Sequence, residues 1–301
     1  MASLYTHQES NIRKTWLLFA LFFGVVTAVG FVFGQLYNNP GILYFAVFFS
    51  VAMSITSYWF SDRIVLATSH ADPVSKQNAP ELYNIVENLA ITAGLPTPKI
   101  YLIKEASPNA FATGRDAQHA VVAVTSGLLD ILDRSELEGV LAHEMSHIGN
   151  RDMLVSTVAV VLVGFVALLS DMFLRSMFWG SFGGDRDDRG RNGAIIVLIG
   201  IILAILAPIA ASLMQLAISR KREFLADASG AMLTRYPEGL ASALQKISQN
   251  HAPMKYANNA TAHLFIANPF KGGSGKHWFA GLFLTHPPIE DRIAILRGMK
   301  I

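Results

Sequence analysis

A mainly α membrane protein with a small β-sheet is the predicted fold class, in which four transmembrane helices accompany a polar α+β domain. Apolar residues make up 52% of the 301-residue chain and charged residues only 15%, a balance that puts part of the mass in lipid. The apolar residues are also gathered into four long, nearly uncharged runs: Trp16 to Phe33, Ile42 to Phe60, Met153 to Leu174 and Ala194 to Ile218. The polar remainder alternates helical and strand-like patterns, which is the mark of a mixed domain.

The first run is long for a signal peptide, lacks a clear small-residue cleavage site and is soon followed by a second, so it is expected to stay as an anchor. Arg13 and Lys14 precede it, the link from Gln35 to Gly41 is uncharged, and Arg63 follows the second run. The excess of basic residues places both ends of this hairpin inside. The third and fourth runs form another hairpin with Arg220, Lys221 and Arg222 at its exit. Its outer link, WGSFGGDRDDRGRNG, carries Arg186, Arg189 and Arg191, but Asp185, Asp187 and Asp188 accompany them. Three units result: an N-terminal hairpin over 1–61, a cytoplasmic domain built from 62–151 and 220–301, and a second hairpin over 152–219 inserted into it.

Within the polar domain, Pro80 opens an amphipathic helix that ends near Gly94. LPTPKIYLI then reads as a strand, and AFAT and HAVVAV flank GRDAQ as a hairpin. Asp133 and Glu136 form the pattern of a capping box at the start of the next helix. Leu137, Val140, Leu141, Met145 and Ile148 recur along it at helical spacing. His143, Glu144 and His147 are left on another face.

These three residues make the pattern HExxH. Positions four apart on a helix share a face, so both imidazoles can reach one zinc ion, while Glu144 is placed to take a proton from an attacking water. The pattern reads as a zinc hydrolase. A catalytic zinc with two imidazoles needs a third protein ligand and an open position. Asp152, His286 and Glu223 are the candidates. Asp152 is five residues past His147, which on a continuous helix turns it off the ligand face, and His286 sits in a proline-bounded turn. Glu223 is the best choice, because it opens a helical stretch on the same side of the membrane as His147. Asp227 falls one turn later on the same face and can accept the other ring N–H of a bound histidine. The run after HExxH begins only beyond Arg151 and Asp152, so the site belongs at the membrane surface.

Two further segments bear on chemistry. Asn109, Ala110, Phe111 and Ala112 can form an edge strand that pairs with an extended peptide through main-chain hydrogen bonds. His286, held between Thr285 and two prolines, can donate to the oxyanion of a tetrahedral intermediate. The helix after it carries Arg292, either a partner of His286 or a plain helix charge. No cysteine is present, so disulfides, thiolate ligands and a cysteine nucleophile are excluded. With a net charge of +2 and no block of like charges, nothing argues for nucleic-acid binding. A transporter with a regulatory zinc site is the alternative; it is disfavoured because the apolar runs hold few polar groups.

In order along the chain, two spans, NAFATG, HEMSHIGNRD, a membrane hairpin, REFLADASGA and THPPIEDRIAIL resemble the HtpX-type membrane zinc metalloproteases over essentially the whole sequence. The resemblance implies a cytoplasmic zincin-like (gluzincin) α+β metalloprotease domain with one zinc ion on His143, His147 and Glu223 and with Glu144 as catalytic base. It also implies a bacterial inner-membrane location, an active site facing the cytoplasm, and polypeptide substrates that are misfolded or damaged membrane proteins, cut under stress.

Overall fold

The computed structural model describes residues 4–36, 38–162, 164–165, 220–250, 266 and 287–299. His286, the fourth apolar run, most of the third beyond Leu162 and the charged link at 180–192 lie outside the described residues.

Two long helices come first, α1 (Leu4–Leu36) and α2 (Gly41–Thr68). Both are long and apolar enough to cross a membrane. Only 22% and 17% of their most apolar windows are buried within the protein, so their remaining faces are not those of core helices. Tyr44, Phe45 and Phe48 on α2 are largely exposed in this way. The continuous helix α2 runs past Ser61, so the expected boundary at residue 61 falls inside it.

The polar domain begins with a short strand β1 (Ala71–Pro73), then α3 (Pro80–Ala93), β2 (Lys99–Ile103), β3 (Ala110–Thr113) and β4 (Val121–Thr125). Pro80 stands at the first turn of α3, and Gly94 ends it in the left-handed conformation at φ 66°, where a residue without Cβ meets no steric penalty. Leu82, Ile85, Val86 and Leu89 form its buried stripe. The sheet order is β1-β2-β4-β3, with β2 and β4 parallel and the outer pairs antiparallel. β4 is buried at every position, as befits a strand covered on both faces. β1 was not foreseen from sequence; three residues ending in proline carry no readable alternation.

The expected hairpin is present, and β3 is the edge strand on the far side of β4. It is tied to the apolar helices at two points. Thr113 Oγ1 lies 3.0 Å from Thr157 Oγ1 of α6 (Met153–Leu162), and the Arg115 guanidinium sits 4.6 Å from the centroid of the Trp59 ring on α2. α6 in turn packs Val155, Val158, Ala159 and Leu162 against Leu18 and Phe22 of α1.

After α4 (Ser126–Ile131) comes the central helix α5 (Arg134–Gly149). Its capping box is complete in both directions: Asp133 accepts from the Glu136 N–H, and Glu136 accepts from the Asp133 N–H. Glu136 also accepts from Ser242 and Lys246, each at 2.6 Å, which ties the start of α5 to α8 (Pro237–Gln249). Nearly every residue of α5 from Glu136 to Ile148 is buried. α7 (Arg220–Thr234) and α9 (Ile289–Arg297) complete the layer of helices around it.

Candidate metal centre and active site

The site is built where α7 crosses α5. A Cβ on Gly230 would stand 2.9 Å from the His143 nitrogen, so only glycine lets the two backbones approach this closely. Glu223 and Asp227 precede Gly230 by seven and three residues, on the same face of α7. The close approach at Gly230 therefore brings both carboxylates over HExxH.

His143 Nε2 and His147 Nε2 are 3.1 Å apart. Glu223 Oε2 lies 3.8 Å from the first and Oε1 3.7 Å from the second. One atom from each of the three residues falls within 4.8 Å of the others, so His143, His147 and Glu223 could together hold a metal ion. Each imidazole has a carboxylate behind it. Asp227 Oδ1 is 2.9 Å from His143 Nδ1. Asp152 Oδ2 is 3.0 Å from His147 Nδ1. Such outer carboxylates fix the tautomer and aim the inner ring nitrogen.

The position of Asp152 departs from the sequence expectation. α5 stops at Gly149, and Arg151 takes a left-handed turn at φ 55°, so the chain doubles back and helical spacing no longer applies. Arg292 is the second residue whose place sequence reasoning missed. Its Nε and Nη2 atoms bond Asp227 Oδ2 and Oδ1 at 2.8 and 2.6 Å, and the side chain is 1% exposed. A signal was available, because Arg292 occupies the apolar stripe of α9 together with Ile289, Ile293 and Leu296.

Glu144 points toward β3 and accepts a 2.8 Å hydrogen bond from the Ala112 N–H. Burial pushes its carboxyl up, as does Glu223, against the opposing pull of the two imidazoles and of Ala112. Burial alone would lower His147, but Asp152, Glu223 and Glu144 carry it up to about 10. For Asp227, burial works upward and is overcome by His143 and Arg292, which hold the carboxyl down at about 2. The surroundings thus strongly favour a positive charge between the imidazoles.

Of the edge-strand residues, Asn109 is not at the open edge. Its N–H donates to Thr125 Oγ1 and its Oδ1 accepts from the Ile266 N–H, so it holds β3 in place. Phe111 is buried with Val65, Leu66 and Val160. Asn109 faces β4 through Thr125, and alternation along the strand therefore turns the main-chain groups of Ala110 and Ala112 outward.

Residues 76–300 match the family described as peptidase family M48. The chain belongs to that family. Its relatives include a protease HtpX homolog of Caldanaerobacter subterraneus subsp. tengcongensis, 49% identical over 99% of both chains. Another, of Thermococcus kodakarensis, is 50% identical over 94% of both. Among solved structures, that of S. mikatae Ste24p is similar with a TM-score of 0.48 and 18% identity, covering 97% of this chain and 67% of that one. The protein is a membrane metalloprotease of the HtpX type, and the transporter alternative finds no support in these relatives.

Proposed function

We propose that the protein is a zinc-dependent endopeptidase that cuts misfolded or damaged membrane proteins at the cytoplasmic surface of a bacterial inner membrane. The observation that carries it is the meeting of His143, His147 and Glu223 beside the buried Glu144. Donor separations of 3.1, 3.7 and 3.8 Å suit a tetrahedral ion, whose ligand edges are roughly 3.3 Å for bond lengths near 2.0–2.1 Å. The donor set, two imidazoles and one carboxylate, is that of a zinc hydrolase.

One zinc ion bound there supplies a Lewis acid that polarises the scissile carbonyl and acidifies water. The residues of the chain do the rest. Glu144 takes the proton from the attacking water and later hands it to the leaving amine, a task suited to a buried carboxylate whose proton affinity is raised. Asp227 and Asp152 keep the two imidazoles aimed inward. The substrate backbone pairs in extended form along the outward edge at Ala110 and Ala112, with Asn109 and Phe111 anchoring that strand, which demands little of the substrate's side chains. His286 donates to the oxyanion. The protease domain is assembled from the chain between the end of α2 at Thr68 and residue 151 and from 220–301, around a second membrane hairpin at 152–219.

Substrate profiling in native membranes tests this. Cleaved fragments of membrane proteins should appear with the wild type and be missing with Glu144→Gln. Identical fragment sets for the two would end the proposal.

A further inference from the structure

We propose that Arg222 and Lys14 form a binding site for the phosphate of an anionic phospholipid, at the end of the protease domain that meets the membrane. The key observation is a buried guanidinium with donors to spare. Arg222 is 8% exposed, and its Nε and Nη2 atoms are buried with no hydrogen-bond partner among the described residues. Among the described residues Nη1 alone is engaged, by Asn11 Oδ1 at 3.4 Å. Buried donors are nearly always satisfied, and each exception calls for an explanation such as a bound ion.

Lys14 supplies the second charge. It follows Asn11, which bonds Arg222, by three residues and so stands one helical turn on along the same side of α1. Two neighbouring cations, one of them buried, form a site that an anion would stabilise. A guanidinium with two parallel N–H groups matches a phosphate, and a flexible ammonium adds a point charge beside it.

The position identifies the source of that phosphate. Asn11, Thr15, Leu18 and Phe22 form the inward face of α1, and Leu18 and Phe22 already pack on the apolar α6. Trp16 and Leu17, on the outward face, are exposed. Asn11 and Lys14 thus stand at the polar end of an apolar helix, the depth at which headgroups lie. Asp152 and Glu223 also act on Arg222, but their oxygens face the imidazoles. An anion has to come from the α1 side, where Asn11 holds Nη1.

The full-length protein should be carried through detergent exchange in phosphatidylcholine, with and without phosphatidylglycerol, and its retained lipids counted by native mass spectrometry. The wild type is expected to keep phosphatidylglycerol selectively. Arg222→Gln and Lys14→Gln should each lower that retention about tenfold or more. Arg13→Gln removes the same charge from an exposed neighbour and should change it little. Lys14→Gln decides the matter if Arg222→Gln fails to fold. Equal retention in the wild type and the folded variants overturns the proposal, as does an equal loss with Arg13→Gln, which would mean diffuse attraction. Thermal protection by inorganic phosphate without any lipid preference overturns the lipid assignment.

Discussion

Arg292 grips Asp227 with two hydrogen bonds of 2.6 and 2.8 Å, and Asp227 in turn stands 2.9 Å from His143. A charge from α9 is thereby linked to an imidazole on α5 through a carboxylate on α7. Removing one partner of such a buried pair leaves the other charge uncompensated, at a cost of roughly 3–5 kcal/mol. Arg292→Met should therefore lower the thermal midpoint markedly and weaken metal retention as well. Arg292→Lys, which keeps the charge but loses the fork, should fall between. Unchanged metal content in a folded Arg292→Met variant would mean that the pair does not act on His143.

Replacing Asp227 by Asn keeps the shape and removes the charge behind His143. Metal affinity should fall about 10- to 100-fold, measured by competition with a chelator. Glu223→Ala should do more, emptying the site in elemental analysis after dialysis.

Glu144→Gln should leave the metal in place and lower cleavage of an unfolded polypeptide by at least about a hundredfold. Full metal occupancy with lost turnover separates a proton carrier from a ligand. A variant that still turned over at the wild-type rate would take Glu144 out of the mechanism.

Gly230→Ala should disturb the centre without touching a polar group. The new Cβ would stand 2.9 Å from the His143 nitrogen and 3.1 Å from the Ala142 carbonyl carbon, so α7 must shift. A loss of about 1–3 kcal/mol in stability is expected, together with weaker metal binding as Glu223 moves away.

Acid stability should depend on Glu136. Burial raises its carboxyl, but hydrogen bonds from Lys246, Ser242 and the Asp133 N–H outweigh burial and leave it lowered. A folded value below the unfolded one, about 4.3 for glutamate, stabilises the fold above that pH and loses this contribution as pH falls through the folded value. Thermal midpoints of the wild type should therefore drop on acidification. Glu136→Gln should start lower at neutral pH and show a shallower acid slope; parallel slopes would remove Glu136 from the effect.

Much of this site was legible in advance, for identifiable reasons. The capping box, the HExxH face and the pairing of Glu223 with Asp227 are local patterns with a helical period, and those periods survive folding. Asp152 was misjudged because its position depends on where α5 ends, and one left-handed residue at Arg151 undoes the helical arithmetic. Arg292 was left undecided for the opposite reason. Its place in the apolar stripe of α9 signals burial, but its partner lies 65 residues away, and no single-sequence pattern names the other half of a tertiary ion pair. The role of Ala112 was equally hidden, because a main-chain N–H has no letter in the sequence.

That last contact gives the order of events at the centre a further sense. The carboxylate of Glu144 is steered by the backbone of β3, the same strand along which an extended peptide would lie. A chain settling on that edge would press on the strand that steers the proton acceptor, so occupancy and chemical readiness would be felt at one place.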